Sequence, residues 1–165
     1  MKKVFLGILI LLISSSFVLA YHVNVAASAF TGGMSTIPYS RTNYGEYIYI
    51  PSGSDGYLTA PVILPEGAKI KNIRLHFIDN TDSGHILVHL VRLNHFNGST
   101  TNVFSVTTDG LTSSPSVQWV VDSSASPANS YRLVQNGQVT WNLYAYFSTT
   151  GSDLRIYSVQ IEFTY

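Results

Sequence analysis

The chain contains no cysteine and few charged residues. With no Cys among its 165 residues, disulfides, a thiol nucleophile, a thiolate metal site and a lipid-modified N-terminal cysteine are all excluded. Charged side chains make up 11% of the sequence, where about a quarter is typical of a soluble domain. The surface must therefore consist mainly of Ser, Thr, Asn, Gln and Tyr, which suits glycans, protein partners or self-association better than electrostatic steering.

The sequence also lacks the patterns of common catalytic and nucleic-acid-binding proteins. Without Lys2 and Lys3 the chain has seven basic residues against nine acidic ones, a net charge of −2, so a basic nucleic-acid-binding surface has no support. No G-x-S-x-G motif is present, and nothing selects a facing pair of carboxylates for glycosidase chemistry. We therefore predict a non-enzymatic protein with no catalytic residues and no cofactor, and keep a carbohydrate-active enzyme as the alternative.

The first twenty residues have the order of a secretory signal peptide. Two lysines precede an apolar run over residues 4–13, and small residues follow as far as Ala20. The run is about half of the ~20 residues needed to span a bilayer. This pattern predicts cleavage after Ala20 and a single secreted or periplasmic domain over residues 21–165, with no membrane helix.

Apolar and polar residues alternate in two segments near the end of the chain. Residues 139–147 place Val, Trp, Leu, Ala and Phe on one face and Asn142, Tyr144 and Tyr146 on the other, and residues 157–165 repeat the alternation. A period of two is typical of a strand with one buried face. No window of useful length shows helical periodicity. About eight to ten short strands between turn signals predict an all-β fold, an antiparallel, jelly-roll-like β-sandwich.

Two hairpins are predicted from turn residues. The turn-rich segment 79–84 separates the strand patterns of residues 70–78 and 85–93, which predicts that these strands pair. Asn136-Gly137 is the pair favoured in type I′ turns, and it lies between residues 131–135 and the strand that begins at Val139.

Four segments carry a resemblance to a known group of proteins. They are Ala60–Ile73, Phe77–Asn80, Leu87–Arg92 and Asp153–Ile161, within residues 57–165. Their strand and turn pattern resembles a functionally uncharacterised group of small secreted bacterial β-sandwich domains. The resemblance implies a jelly-roll-like fold and export to the periplasm or the extracellular medium, and it gives no catalytic residue.

Four of the five histidines lie between His76 and His95. His85 and His89 share a strand face, but four residues along a strand is about 13 Å, too far for one metal ion. If the strands around them form a hairpin, His76 stands opposite His89. Two imidazoles make an incomplete zinc site, so we predict surface or interface histidines and no metal.

The same hairpin would carry an unusually apolar outer face. Ile78, Leu87, Val91 and Leu93 would join the two histidines there, where a solvated sheet should be more polar. We expect the segment from Phe30 to Ile50 to cover this face, with self-association as the alternative.

The polar face of the Val139 strand is the candidate binding surface. Asn142, Tyr144 and Tyr146 together could stack against sugar rings and hydrogen-bond to hydroxyls. Contact with an extracellular protein, or the ordinary preference of Tyr for strands, would produce the same pattern. The sequence predicts a structural, assembly or surface-binding module, with a glycan-binding module as the alternative.

The pattern of the last residues of the chain is also compatible with a second architecture. Tyr165 follows alternating apolar residues, which is also typical of the last strand of a small outer-membrane β-barrel. Residues 30–54 and 112–130 lack the ~10-residue alternating segments that a barrel requires, so the sandwich is preferred.

Overall fold

The computed structural model describes residues 19–34, 37–42, 44–51, 56–124 and 129–165. The predicted signal peptide lies outside the described residues except for Leu19 and Ala20, which are exposed. The described residues form β-strands and two 3₁₀ helices, Ala27–Ala29 and Asn129–Arg132. The strands are β1 (Tyr21–Ala26), β2 (Thr31–Gly32), β3 (Ser40–Arg41), β4 (Ile48–Tyr49), β5 (Tyr57–Val62), β6 (Lys69–Asp79), β7 (Ile86–Asn94), β8 (Thr100–Thr107), β9 (Ser114–Asp122), β10 (Val139–Phe147) and β11 (Leu154–Thr164).

The strands form two antiparallel sheets that pack face to face. The front sheet has the order β2-β5-β10-β7-β8, and the back sheet has the order β3-β4-β11-β6-β9, with β1 also paired to β11. The predicted antiparallel β-sandwich is therefore confirmed. Within the described residues the strands form two separate sheets, each with its own edge strands.

The core lies between the two sheets and follows from the alternation in the strands. In β10, Val139, Trp141, Leu143 and Ala145 are buried, while the residues between them face outward. The long strands of the back sheet bury their own apolar rows against this one. These rows are Ile73, Leu75 and Phe77 in β6 and Leu154, Ile156, Val159, Ile161 and Phe163 in β11.

The hairpin predicted for residues 70–93 is wrong, because β6 and β7 belong to different sheets. β6 pairs with β11 and β9, whereas β7 pairs with β10 and β8. Each strand has one strongly apolar row, and the sandwich buries both rows by placing them on opposite sides of one core. Residues 80–85 cross between the sheets, and the Asn80 N–H donates to the Asp153 carbonyl at 2.9 Å.

The hairpin predicted at Asn136-Gly137 is also wrong. The Val134 N–H donates to the Ala68 carbonyl at 2.9 Å, so the segment before the turn contacts the loop that leads into β6 instead of pairing with β10. The Asn136 side chain donates from Nδ2 to the Leu64 carbonyl at 2.9 Å, and its backbone N–H donates to Glu66 Oε2 at 2.6 Å. These bonds hold the turn against the preceding loop.

The described residues of the segment from Phe30 to Ile50 do not cover the apolar outer face that was expected of the hairpin. Phe30, Ile48 and Ile50 are buried in the core, and β3 and β4 extend the back sheet beside β11. The predicted apolar face is itself divided, because Ile78 lies in the back sheet and Leu87, Val91 and Leu93 lie in the front sheet. Among the described residues, no helix is long and apolar enough to cross a membrane.

Candidate functional site

Three tyrosines lie together on the outer face of the front sheet. Tyr146 of β10 stands opposite Tyr57 of β5, and Tyr144 follows one pleat along β10. The Tyr57 ring centroid is 5.4 Å from that of Tyr146 and 5.7 Å from that of Tyr144. Tyr146 is 40% exposed, and the other two are partly buried. We call Tyr57, Tyr144 and Tyr146 the tyrosine cluster.

Gly33 makes room for the ring of Tyr57. A Cβ atom at position 33 would lie 2.1 Å from a ring carbon of Tyr57, far inside van der Waals contact. The Gly33 N–H also donates to the Tyr57 carbonyl at 2.8 Å. Glycine at this position therefore allows the loop after β2 to support the tyrosine cluster from one side.

His89 extends the cluster onto the neighbouring strand. It stands opposite Tyr144, and its ring lies edge-on to Tyr146 with the centroids 5.8 Å apart. His89 Nδ1 and Ser105 Oγ are 2.7 Å apart, within hydrogen-bond distance. Burial lowers the pKa of His89, so its imidazole is neutral near pH 7 and offers one donor and one acceptor.

Two shallow grooves run along this face of the front sheet. The first has a volume of about 300 Å³ and is lined by His89, Val91, Thr100, Asn102, Tyr144 and Tyr146. Asn142 lines the second, of about 330 Å³, with Pro61, Ile63 and Thr140 among its neighbours. Among the described residues that line the two grooves, none has an acidic or cationic side chain. The surface therefore presents aromatic rings, hydroxyls and amides to a ligand.

The structure brings together four of the five predicted binding residues. Asn142, Tyr144, Tyr146 and His89 share the front face, as their register shows. His76 does not join them, because it lies in β6 of the back sheet between Ser158 and Trp119. The predicted pairing of His76 with His89 is therefore wrong, and so is the hairpin that it required.

Tyr57 and Asn102 also belong to this face, although they were not predicted from the sequence. Tyr57 begins a segment that alternates with the buried Leu58 and Ala60, and that pattern was the available signal. Within the described residues, no group of three or more His, Asp or Glu side chains is placed to hold a metal ion. The arrangement is suited to reversible binding through stacking and hydrogen bonds.

Acidification is expected to destabilise the fold through His89 and His76. Burial lowers the pKa of both below the usual 6.5, and the charge of Arg74 lowers that of His76 further. The unfolded chain therefore takes up protons at higher pH than the folded chain. The contribution of the two neutral histidines to the free energy of unfolding is complete well above pH 6.5. It is lost as the pH falls through 6.5 toward the pKa values of the folded state.

Urea denaturation at pH 8 and at pH 5.5 would measure this loss. The His76→Gln/His89→Gln double variant should lose less stability between the two pH values than the unchanged protein. An equal loss in both would show that other groups cause it.

Comparison with known proteins identifies a shared fold but does not assign this chain to a family. No protein-family model and no curated protein sequence matches the chain. A "xylan-binding module CBM15" is similar with a TM-score of 0.52 and 11% identity, covering 88% of this chain and 96% of the module. An N-terminal endo-1,4-β-D-xylanase 10B of Clostridium thermocellum, with CBM22-1 and GH10 modules and xylohexaose, gives a TM-score of 0.50 and 9% identity over 87% of this chain and 28% of that one. At such identities the similarity shows a shared β-sandwich.

Proposed function

We propose that this chain is an exported, non-catalytic module that binds a neutral glycan on the outer face of its front sheet. The tyrosine cluster is the observation that carries the proposal. The C–H-rich face of a pyranose ring packs favourably on aromatic rings, and phenol hydroxyls bind its hydroxyl groups. Tyr144 and Tyr146 lie one pleat apart on β10, so both can contact one saccharide chain that lies along the strand.

The groups around the cluster support a neutral ligand. Neutral His89 and the Asn102 amide line the first groove, and the Asn142 amide lines the second. Among the described residues, the side chain of Asn142 has no hydrogen-bond partner in the protein, so it is free to pair with a sugar hydroxyl. A charged ligand would find no counter-charge among the described residues that line either groove.

The same linings support a binding role over a catalytic one. Glycoside hydrolysis ordinarily requires two carboxyl groups that flank the scissile bond, within about 10 Å of each other. No carboxylate occurs among the described residues that line either groove. The surface is therefore equipped to hold a saccharide without cleaving it.

Export is the second part of the proposal. β1 begins at Tyr21, directly after the predicted cleavage position Ala20, and Tyr21 pairs with Phe163 of β11. Cleavage there would leave every described strand intact. An intact mass for the exported protein that corresponds to a chain starting at Tyr21 would support it, and a chain that keeps residues 1–20 would refute it.

Affinity electrophoresis in gels that contain soluble polysaccharide tests the glycan-binding part. Xylan is the first polymer to try, because the two similar structures are described as xylan-binding or as bound to xylohexaose; mixed-linkage β-glucan and mannan follow. We expect Tyr146→Ala and Tyr144→Ala each to weaken binding about tenfold, which corresponds to about 1.4 kcal/mol of lost contact. Both should stay within about 1 kcal/mol of the unchanged protein in unfolding free energy.

Tyr44→Ala is the matched control, since Tyr44 is the most exposed tyrosine of the described residues and lies between β3 and β4 of the back sheet. It should bind as the unchanged protein does. Retention by none of the polymers, or equal loss in Tyr44→Ala, would refute the proposal. A change in oligomer size on gel filtration of Tyr146→Ala, with no change in retention, would identify the face as an assembly surface instead.

A further inference from the structure

An exposed tryptophan lies on the opposite side of the molecule, on the outer face of the back sheet. Trp119 of β9 is 62% exposed, although its indole is among the largest apolar groups that a protein can bury. It stands directly opposite His76 of β6, with the exposed Val117 two residues away on the same strand. The indole is placed where a ligand can reach it.

Arg74 lies against this tryptophan and has no counter-charge. Its Cζ atom is 4.8 Å from the centroid of the Trp119 ring system, a cation–π contact. Its Nε is buried without a hydrogen-bond partner. Within the part of the chain that the structure describes, the guanidinium has no acceptor and no carboxylate within ion-pair distance. A partly buried cation without an anion is unfavourable, so the site is suited to an anionic group from outside.

The remaining charges on this face leave the guanidinium unpaired. Glu162 is the nearest acid along β11, opposite Asn72, and its Oε2 accepts a hydrogen bond from Asn72 Nδ2 at 2.8 Å. His22 of β1 stands opposite Glu162 on its other side. Burial and the charge of Arg74 lower the pKa of His76, so His76 adds no second cation near neutral pH.

Uncharged polar groups surround the Trp119–Arg74 pair. Gln160 stands opposite Arg74, and its Nε2 donates to Asn24 Oδ1 at 3.3 Å. Ser158 stands opposite His76. These amide, hydroxyl and imidazole groups offer donors and acceptors to the hydroxyls of a sugar that is stacked on Trp119.

We infer that the outer face of the back sheet is a second binding surface, which takes a uronic acid residue of an acidic polysaccharide. The sugar ring stacks on Trp119, and its carboxylate accepts hydrogen bonds from the terminal nitrogens of Arg74. A single arginine fits the single charge of a carboxylate. A nucleic acid would require several cations in a row, and a neutral sugar would leave Arg74 unpaired.

Calorimetric titration with acidic oligosaccharides tests this surface. The probes are an oligogalacturonide and an alginate oligomer, each compared with its own methyl ester, which keeps the ring and removes the charge. We expect at least one acid form to bind, and its ester to bind about tenfold more weakly. Increasing NaCl from 50 to 500 mM should also weaken binding of the acid form, because the ionic contact is partly exposed.

Variants on each face separate this surface from the tyrosine cluster. Trp119→Ala and Arg74→Gln should each lower affinity for the acid oligomer about tenfold, and Arg74→Lys should retain part of it, because lysine keeps the charge without the planar fork. Tyr146→Ala should bind the acid oligomer as the unchanged protein does. Circular dichroism and thermal unfolding of each variant would confirm that its fold is retained.

Three results would overturn the inference. The first is that neither acid oligomer binds, and the second is that acid and ester bind equally. The third is that Trp119→Ala binds uronate as the unchanged protein does. If Trp119→Ala alters the oligomer mass and leaves uronate binding unchanged, the patch is a protein contact. Failure of the front-face proposal is visible separately, as neutral-glycan binding that does not respond to Tyr146→Ala.

Discussion

Replacement of Phe77 with alanine is expected to lower the free energy of unfolding by about 3–5 kcal/mol, as truncation of buried aromatic residues generally does. Phe77 is 0% exposed and lies in β6, where it stands opposite Ile156 on one side and Gln118 on the other. The two hydrogen-bonded sheets fix the width of the core, so the surrounding chains cannot close the cavity fully. Urea denaturation followed by tryptophan fluorescence would measure the loss.

Phe96→Ala is the control for this substitution. Phe96 is 79% exposed, so the same chemical change should alter stability by no more than about 0.5 kcal/mol. Small domains have a total stability of about 5–15 kcal/mol, so the Phe77→Ala variant can fall close to unfolding at 25 °C. Phe77→Leu, which retains most of the volume, should then lose about half as much. Equal losses at positions 77 and 96 would contradict the burial described for Phe77.

Replacement of Asp79 with alanine is expected to lower stability by about 1–3 kcal/mol, through loss of a buried hydrogen-bond network. Asp79 is 4% exposed, and its Oδ2 accepts a hydrogen bond from Thr108 Oγ1 at 2.5 Å. Thr108 Oγ1 in turn accepts one from the Ile86 N–H at 2.9 Å. The network joins the end of β6 in the back sheet to the start of β7 in the front sheet. Alanine would leave the buried Thr108 hydroxyl without its acceptor.

Asp82→Ala is the matched comparison, because Asp82 makes a hydrogen bond of the same kind in solvent. Its Oδ1 accepts from Ser113 Oγ at 2.6 Å, and this pair is exposed. We expect a change of about 0.5 kcal/mol or less, since water replaces the lost bond. Chemical denaturation of both variants at pH 7 would show the difference, and similar losses would mean that burial of Asp79 contributes little.

The sequence predicted the long strands well because their signal is local. Residues 139–147 alternate strictly, and β10 begins and ends at those residues. The alternation of apolar and polar residues along a strand indicates which side chains face the core. It does not report which sheet a strand joins, because an inward-facing row looks the same from either side of a sandwich. The false hairpin between β6 and β7 follows directly from that ambiguity.

The short strands and the turn at Asn136-Gly137 were harder to predict for a different reason. β2, β3 and β4 are two residues long, so no periodicity exists in them to detect. The Asn-Gly pair indicates a turn correctly. The segment that the turn packs against, however, cannot be read from the pair itself. Asn136 makes its hydrogen bonds with Leu64 and Glu66, about seventy residues earlier in the chain.

The candidate site likewise contains some residues that a single strand pattern predicts and others that depend on how the strands pair. Tyr144, Tyr146 and Asn142 were predicted because one strand carries all three on one face. Tyr57 comes from β5, so its place beside Tyr146 depends on a register that the sequence does not encode locally. The contact between Arg74 and Trp119 spans forty-five positions and requires β6 and β9 to be neighbours. Neither contact is predictable from the sequence without the sheet order.

The pairing of β1 with β11 sets the order in which the molecule can be assembled during synthesis. Tyr21–Ala26 is made before almost all the rest of the sandwich, yet its partner strand Leu154–Thr164 is made among the last residues. β11 also pairs with β4 and β6, so the back sheet has no central strand until those residues are available. A nascent chain that lacks β11 therefore cannot complete the back sheet. If the chain is exported as proposed, this late completion leaves it extended enough to be threaded across a membrane before the sandwich closes.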